Sequence, residues 1–380
     1  MSTHQSPTPR PRLRAGSAAL ALALAAALAP AQEALDTVLK TDGSSMRGVK
    51  VQTFTLSAVK VLRGTEEVDI PPHLVAGIRW GGAPDAFVGA EAALERGEFA
   101  TAQQLYGEAA NGTERELLKA EARFLQGKAA VGAGAADPAA AANAAGALRA
   151  WISEFPEHWH LPEAMYLLGR ALRLGQVQAD AETTLKELDD RSVRDGWGAV
   201  WSARAKYELA LCLLDQGKTL EARGAFQSAA SAADTALAQA GGKGPEFEAI
   251  KINSKVGEGE TLVREKEFQR AADYFRSLSQ NPDPSLAASG KAGQGEATFL
   301  AAADSKNPAK LREAQIALAE ACVLDTGAGD TSAKANYYLG RVMRALGEGS
   351  GGDAKAYFQI VTRSYPTSRW AAAARAELAK

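Results

Sequence analysis

Three segments of the chain repeat one arrangement, and it narrows the possible folds more than any other feature. Gly97-Glu98-Phe99-Ala100-Thr101-Ala102 runs on to Tyr106, and Gly217-Lys218-Thr219-Leu220-Glu221-Ala222 runs on to Phe226. Lys266-Glu267-Phe268-Gln269-Arg270-Ala271 runs on to Phe275. Each has a turn residue, an alanine five positions later and an aromatic four positions after that. Residues at i, i+4 share one helix face. The alanine lets a neighbouring helix come close, and the aromatic fills the groove beside it. Ala354, Phe358 and Pro366 follow a spacing of four then eight, as do Ala144, Leu148 and Pro156. A single helix pair of this kind cannot bury its apolar face, so stacking of many pairs is expected.

From Asp85 to Lys380 apolar residues recur at three and four spacing, in segments broken by Gly, Pro or Asn. The breaks predict about fifteen helices in antiparallel pairs. The composition agrees, because alanine supplies much of the 46% hydrophobic content and loses no side-chain entropy in a helix. Residues 35–80 read differently. Val49 and Val51, Val59 and Val61, and Val68 and Ile70 alternate with polar residues, the period of a half-buried strand. Asp42-Gly43 and Arg63-Gly64 offer turns between such runs, and Pro71-Pro72 ends one. Four or five short strands in a small barrel or open sheet are expected. Gly81-Gly82-Ala83-Pro84 marks the boundary, read as flexible, and the array after it is expected to fold without the strands.

The turn glycine, the alanine, the aromatic and the terminal proline together resemble the tetratricopeptide repeat (TPR), a helix–turn–helix unit of about 34 residues. Phe155-Pro156 and Tyr365-Pro366 resemble the unit endings in bacterial envelope proteins, among them the Tol-Pal-associated periplasmic coordinator and the outer-membrane assembly lipoproteins. The resemblance implies a mostly α fold, a TPR-like α-solenoid preceded by a small all-β module. That module weakly resembles SH3-like barrels. The repeat-packing residues it implies are Gly97, Ala102, Tyr106, Gly217, Ala222, Phe226, Ala271, Phe275, Ala354, Phe358, Pro156 and Pro366. Lys266 stands where the pattern has glycine. After Gly175 the alanine, Ala181, comes one position late, and Leu185 replaces the aromatic.

The first residues carry a different message. Arg10, Arg12 and Arg14 form a basic region, and Ala15 to Leu28 are apolar but short of the roughly 20 residues a membrane span needs. Ala29-Pro30-Ala31 places small residues at the −3 and −1 positions of a signal-peptide cleavage site. The expected organisation is a signal peptide over 1–31, a β module over 32–82 and the helical domain over 83–380. No transmembrane segment is expected in the mature chain, and the location is periplasmic or otherwise extracytoplasmic. Formal charge is −2, and loss of the three arginines takes it to −5, which argues against nucleic acid as partner. Cys212 and Cys322 both lie in apolar helical runs and read as small buried hydrophobes rather than a bridge.

No residue set gathers into a catalytic pattern. Gly217-Lys218-Thr219 resembles the end of a phosphate-binding loop, but position 212 is Cys where that loop needs glycine, and no strand precedes it. His158-Trp159-His160 has Glu157 and Glu163 nearby, yet no third well-spaced metal ligand. Its reading is a loop whose Trp159 packs between repeats. Trp197 and Trp201 are read as sharing one helix face with Ala205 and Leu209. The expectation is a non-enzymatic scaffold of the cell envelope, needing no cofactor and holding a protein or peptide partner. An alternative is binding of envelope polysaccharide or peptidoglycan by exposed Trp159 and Trp197.

Overall fold

The computed structural model describes residues 34–239, 244–303, 307–325, 329–347, 352–366 and 368–380. The proposed signal segment, with Ala29 and Ala31, lies outside them. Five strands come first: β1 (Asp36–Lys40), β2 (Ser45–Phe54), β3 (Val59–Arg63), β4 (Glu66–Ile70) and β5 (Val75–Arg79). They form one antiparallel sheet in the order β4-β3-β2-β1-β5. The alternation seen in sequence is the sheet's inner face. Val38, Val49, Val51, Val59, Val61 and Ile70 are buried. Gly43 and Gly64 take the left-handed φ that their tight turns require.

Fifteen helices follow among the described residues, and they pair antiparallel. The pairs are α1 (Asp85–Glu95) with α2 (Phe99–Asn111), α3 (Glu116–Ala133) with α4 (Pro138–Glu154), α5 (Leu161–Leu174) with α6 (Gln178–Arg194), and α7 (Ala199–Asp215) with α8 (Thr219–Gln239). Next come α9 (Pro245–Arg264) with α10 (Phe268–Ser279), α11 (Pro284–Ala303) with α12 (Pro308–Leu324), and α13 (Asp330–Leu346) with α14 (Gly352–Ser364). A last helix, α15 (Arg369–Leu378), stands alone. From α3 onward each odd-numbered helix touches the next odd-numbered one, so these form the inner layer of a TPR-like α-solenoid. The even-numbered helices lie outside. The last helix also touches the turn at Gly134–Ala136, which joins the end of the stack to its second pair.

The repeated residues sit where two helices meet. Ala102, Ala222 and Ala271 are fully buried near the start of outer helices, beside buried Tyr106, Phe226 and Phe275. Ala354 and Phe358 are buried in α14 in the same way. Pro156 and Pro366 each fall two residues beyond the end of an outer helix, α4 and α14. Gly97 and Gly217 have left-handed φ, and Lys266 adopts the same backbone without being glycine.

Two sequence expectations need correction. In the turn after α5 the left-handed residue is Gln176, not Gly175. Counted from Gln176, Ala181 is five positions on, as in the other units, so this unit has no shifted register. Gly175 is small for a different reason, since an added Cβ would press on the Ala142 backbone of α4. Trp197, for its part, is not on a helix face with Trp201. Gly198, with φ +106°, separates it from α7, and Trp197 instead lies buried beneath the Arg191 guanidinium at 4.4 Å.

The sheet and the array share one core. Sheet valines, Trp80, Phe87 of α1, Tyr106 of α2, Leu118 of α3 and Trp159 form a single buried cluster. Leu56, between β2 and β3, packs against Leu161 and Met165 of α5. Asp36 is buried under this seam and accepts hydrogen bonds from Val51 N and Gly81 N, each at 2.9 Å. Arg115, just before α3, pairs with both Asp36 oxygens and lies 4.7 Å from the Trp80 ring centre. At Gly81 any side chain would collide with the Ala34 and Leu35 carbonyls. The Gly81–Pro84 link is therefore held at its start, in contrast to the flexible boundary expected from its composition.

Candidate functional site

The inner layer encloses a channel of about 710 Å³. Six successive inner helices, α5 through α15, contribute to its wall. Tyr166 comes from α5, Tyr207 and Leu211 from α7, Asn253 and Val256 from α9, and Ala372 from α15. Stacking explains this arrangement. Each inner helix buries one face against its outer partner and touches its inner neighbours at its flanks, which leaves one stripe per helix facing the concavity.

Charges dominate that stripe. On the α5–α7 side Arg173 donates to Glu208 at 2.6 Å and to Asp215 at 2.7 Å. Glu208 is only 2% exposed, so removing that guanidinium would leave a buried carboxylate without its partner. On the opposite side Glu260 of α9 accepts from Arg369 of α15, with one of the two contacts at 3.2 Å. The same carboxylate is 3.5 Å from Lys334 of α13. Burial pushes the Glu260 carboxyl up, but Arg369 and Lys334 outweigh it and bring it down to about 2. Lys334 is 4% exposed and also pairs with Glu296 of α11, which accepts a further bond from the Tyr338 hydroxyl at 2.7 Å. Asp330 lies 3.5 Å from Arg369. These contacts tie α9, α11, α13 and α15 together through side chains that reach past the neighbouring helix.

The other residues singled out in the sequence do not meet here. His158, Trp159 and His160 lie at the seam between sheet and array, and all three are buried. His160 Nε2 is 3.0 Å from Glu121 and its Nδ1 is 3.4 Å from Glu163. Glu163 in turn accepts from Lys128 at 2.7 Å. Burial pulls His160 down, but Glu121 and then Glu163 overcome this and raise it to about 9. Burial takes His158 down to about 2, with the neighbouring His160 charge adding to it. The pair is thus one charged and one neutral imidazole. Among the described residues no three His, Cys, Asp or Glu side chains come together as a metal site. Trp159 and Trp197 are both under 10% exposed, so neither offers a face to a sugar, and the polysaccharide reading loses the aromatics on which it rested. Gly217 is the left-handed residue of an interhelix turn with no strand before it. Cys212 and Cys322 are free thiols, and burial pushes Cys212 up to about 11. No helix among the described residues is long and apolar enough to cross a membrane.

Sequence reasoning could not find Glu260, Lys334 or Arg369. They stand tens of residues apart in unremarkable helical contexts, and only the curvature of the stack brings them together. One signal was available in principle: Lys334 is the one charged residue in the stretch Ser332–Gly340.

No protein-family model matches the chain, and no curated protein is similar to it. Among solved structures, the apo form of RapI aligns with 76% of this chain and 79% of its own, at 10% identity and a TM-score of 0.45. The apo form of the quorum sensor NprR from B. thuringiensis aligns over 77% and 79%, at 12% identity and a TM-score of 0.45. A Rap protein complexed with competence and sporulation factor aligns over 77% and 75%, at 15% identity and a TM-score of 0.43. The likeness is one of stacked helices only.

Proposed function

We propose that this protein is a non-catalytic scaffold that holds a protein or peptide segment in its inner channel and works at the bacterial cell envelope. The observation that carries the reading is the channel itself. It is a continuous concavity over six helices, and its wall mixes apolar side chains with fixed charges, as an extended or helical segment would require. Photo-crosslinking from Asn253, exposed in the channel wall, is expected to trap a partner in native cells. The same probe at Ile316, 60% exposed on the outer helix α12, is expected to trap far less. Equal yields from both positions would remove the channel from the proposal.

Export is supported by the order of basic region, apolar run and Ala29-Pro30-Ala31. The mature chain is expected to begin near Gln32, which an intact mass of the exported protein checks. A full-length chain recovered with the membrane fraction would contradict cleavage. For the β module, the SH3-like reading is supported by a strand order that brings the last strand beside the first.

A further inference from the structure

The channel contains more positive charge than it neutralises. Its wall carries Arg170, Arg173, Arg264, Lys334, Arg369 and Arg375. The carboxylates in the same wall are Glu208, Asp215, Glu260 and Asp330. All four are engaged by only three of the cations: Glu208 and Asp215 by Arg173, Glu260 by Arg369 and Lys334, and Asp330 by Arg369. Arg170, Arg264 and Arg375 have no ion pair among the described residues. Arg264 and Arg375 are exposed and Arg170 is half-buried, so all three are accessible to a ligand. This excess is local, because the chain as a whole is acidic, with a formal charge of −2.

We propose that the channel's occupant is an acidic peptide segment, its carboxylates taken by Arg170, Arg264 and Arg375. The inference rests on the scaffold reading above and specifies its ligand. Guanidinium groups bind carboxylates by paired, charge-assisted hydrogen bonds. A concave wall that focuses the field strengthens them over the same contact on an open surface. The three arginines come from three separate helices, α5, α9 and α15, so they can take carboxylates from successive residues of one chain. Leu174, Leu211 and Val256, each half-buried, lie in the same wall. They suit apolar side chains set between acidic ones and have nothing to offer an acidic polysaccharide.

The test uses the full chain and a labelled peptide alternating Glu with Leu, compared with a counterpart in which Gln replaces every Glu. At low salt the Glu peptide is expected to bind about tenfold or more tightly than the Gln peptide, and the difference should shrink as salt screens it. The double variant Arg264→Ser/Arg375→Ser removes two exposed side chains with no partner in the fold. It is expected to cost the Glu peptide at least about tenfold while leaving the melting temperature in place. Cross-linking from Asn253 reports whether each peptide occupies the channel. Both peptides in the channel with equal affinity would overturn the acidic preference and leave the scaffold reading standing. Neither peptide cross-linked at Asn253 would overturn both. Binding of polygalacturonate without the Glu peptide would assign the channel to an acidic polysaccharide and also overturn the proposal.

Discussion

At the scale of single residues, this fold depends on glycine inside helices. The aromatic of the repeated unit was legible in the sequence, but the residue that receives it was not. An added Cβ at Gly259 of α9 would overlap the Phe275 ring, and one at Gly340 of α13 would stand 2.7 Å from Phe358. Gly169 stands in the same relation to Leu185, with an added Cβ 2.5 Å from its Cδ2. In each case the outer helix drives its large residue into the bare backbone of its own inner partner. Gly259→Ala is therefore expected to cost about 1–3 kcal/mol in chemical denaturation, since the ring has nowhere to go. Gly146→Ala, in α4 with open space around it, is expected to gain roughly 0.5–1 kcal/mol from helix propensity alone. A gain at both sites would mean that propensity rather than packing governs. The turns give a reciprocal case. Lys266 holds a φ of +60° and its side chain is exposed. Lys266→Gly should raise stability by about 1 kcal/mol, readable as a shift of the denaturation midpoint. The one-position slip that the sequence suggested after Gly175 arose because glycine does two jobs in this chain. Only backbone angles separate a glycine needed for its φ from one needed for its size.

At the scale of elements, the loop from Phe155 to His160 sets how the sheet and the helices respond to pH. The sequence offered it as a loop that packs between repeats, and Trp159 does enter the core. What could not be read was the pairing of His160 with Glu121, which lies on another helix, thirty-nine positions earlier. His160 is raised to about 9, so it binds a proton more tightly in the folded chain than in the unfolded one. Its stabilisation is complete below the ordinary imidazole value of 6.5 and is lost as pH climbs through 9. His158 is lowered to about 2 and works in the opposite sense. The folded form keeps it neutral, so stability falls as pH drops below 6.5, where the unfolded chain takes up the proton. Melting temperature against pH should therefore peak near neutrality. His160→Gln should flatten the alkaline side and leave the acid side, which melting curves of the two proteins across that range would check. An alkaline limb unchanged in the variant would remove His160 from this role.

At the scale of the whole molecule, the division into sheet and array was legible, and their dependence on each other was not. Strand periodicity and helix periodicity change over at residues 80–85, and the described elements change there too. Composition made the glycines between them look like a hinge. In the structure, Asp36 reaches across to Gly81 and Arg115, and sheet valines complete the core of α1 and α2. A chain starting at Asp85 would expose Phe87 and Trp159 and leave Arg115 without its counter-ion. Burying such aromatics is worth about 1.5–3 kcal/mol each. The truncated array is thus expected to melt well below the full-length protein and to lose the first pairs before the rest, as proteolytic fragments of the two forms would reveal. An unchanged melting temperature would show that the array needs no cap.

The closure of the stack has a kinetic corollary. The last helix rests on the Gly134–Ala136 turn, and Arg369 reaches to Glu260 on a helix far earlier in the chain. A strand held at both ends inside another folded protein cannot slide into a passage bounded in this way. It enters by its free end, or it waits for the terminal helix to swing aside. For the proposed occupant, exchange of a segment held at both ends would then be paced by that helix, and exchange of a free-ended one by threading.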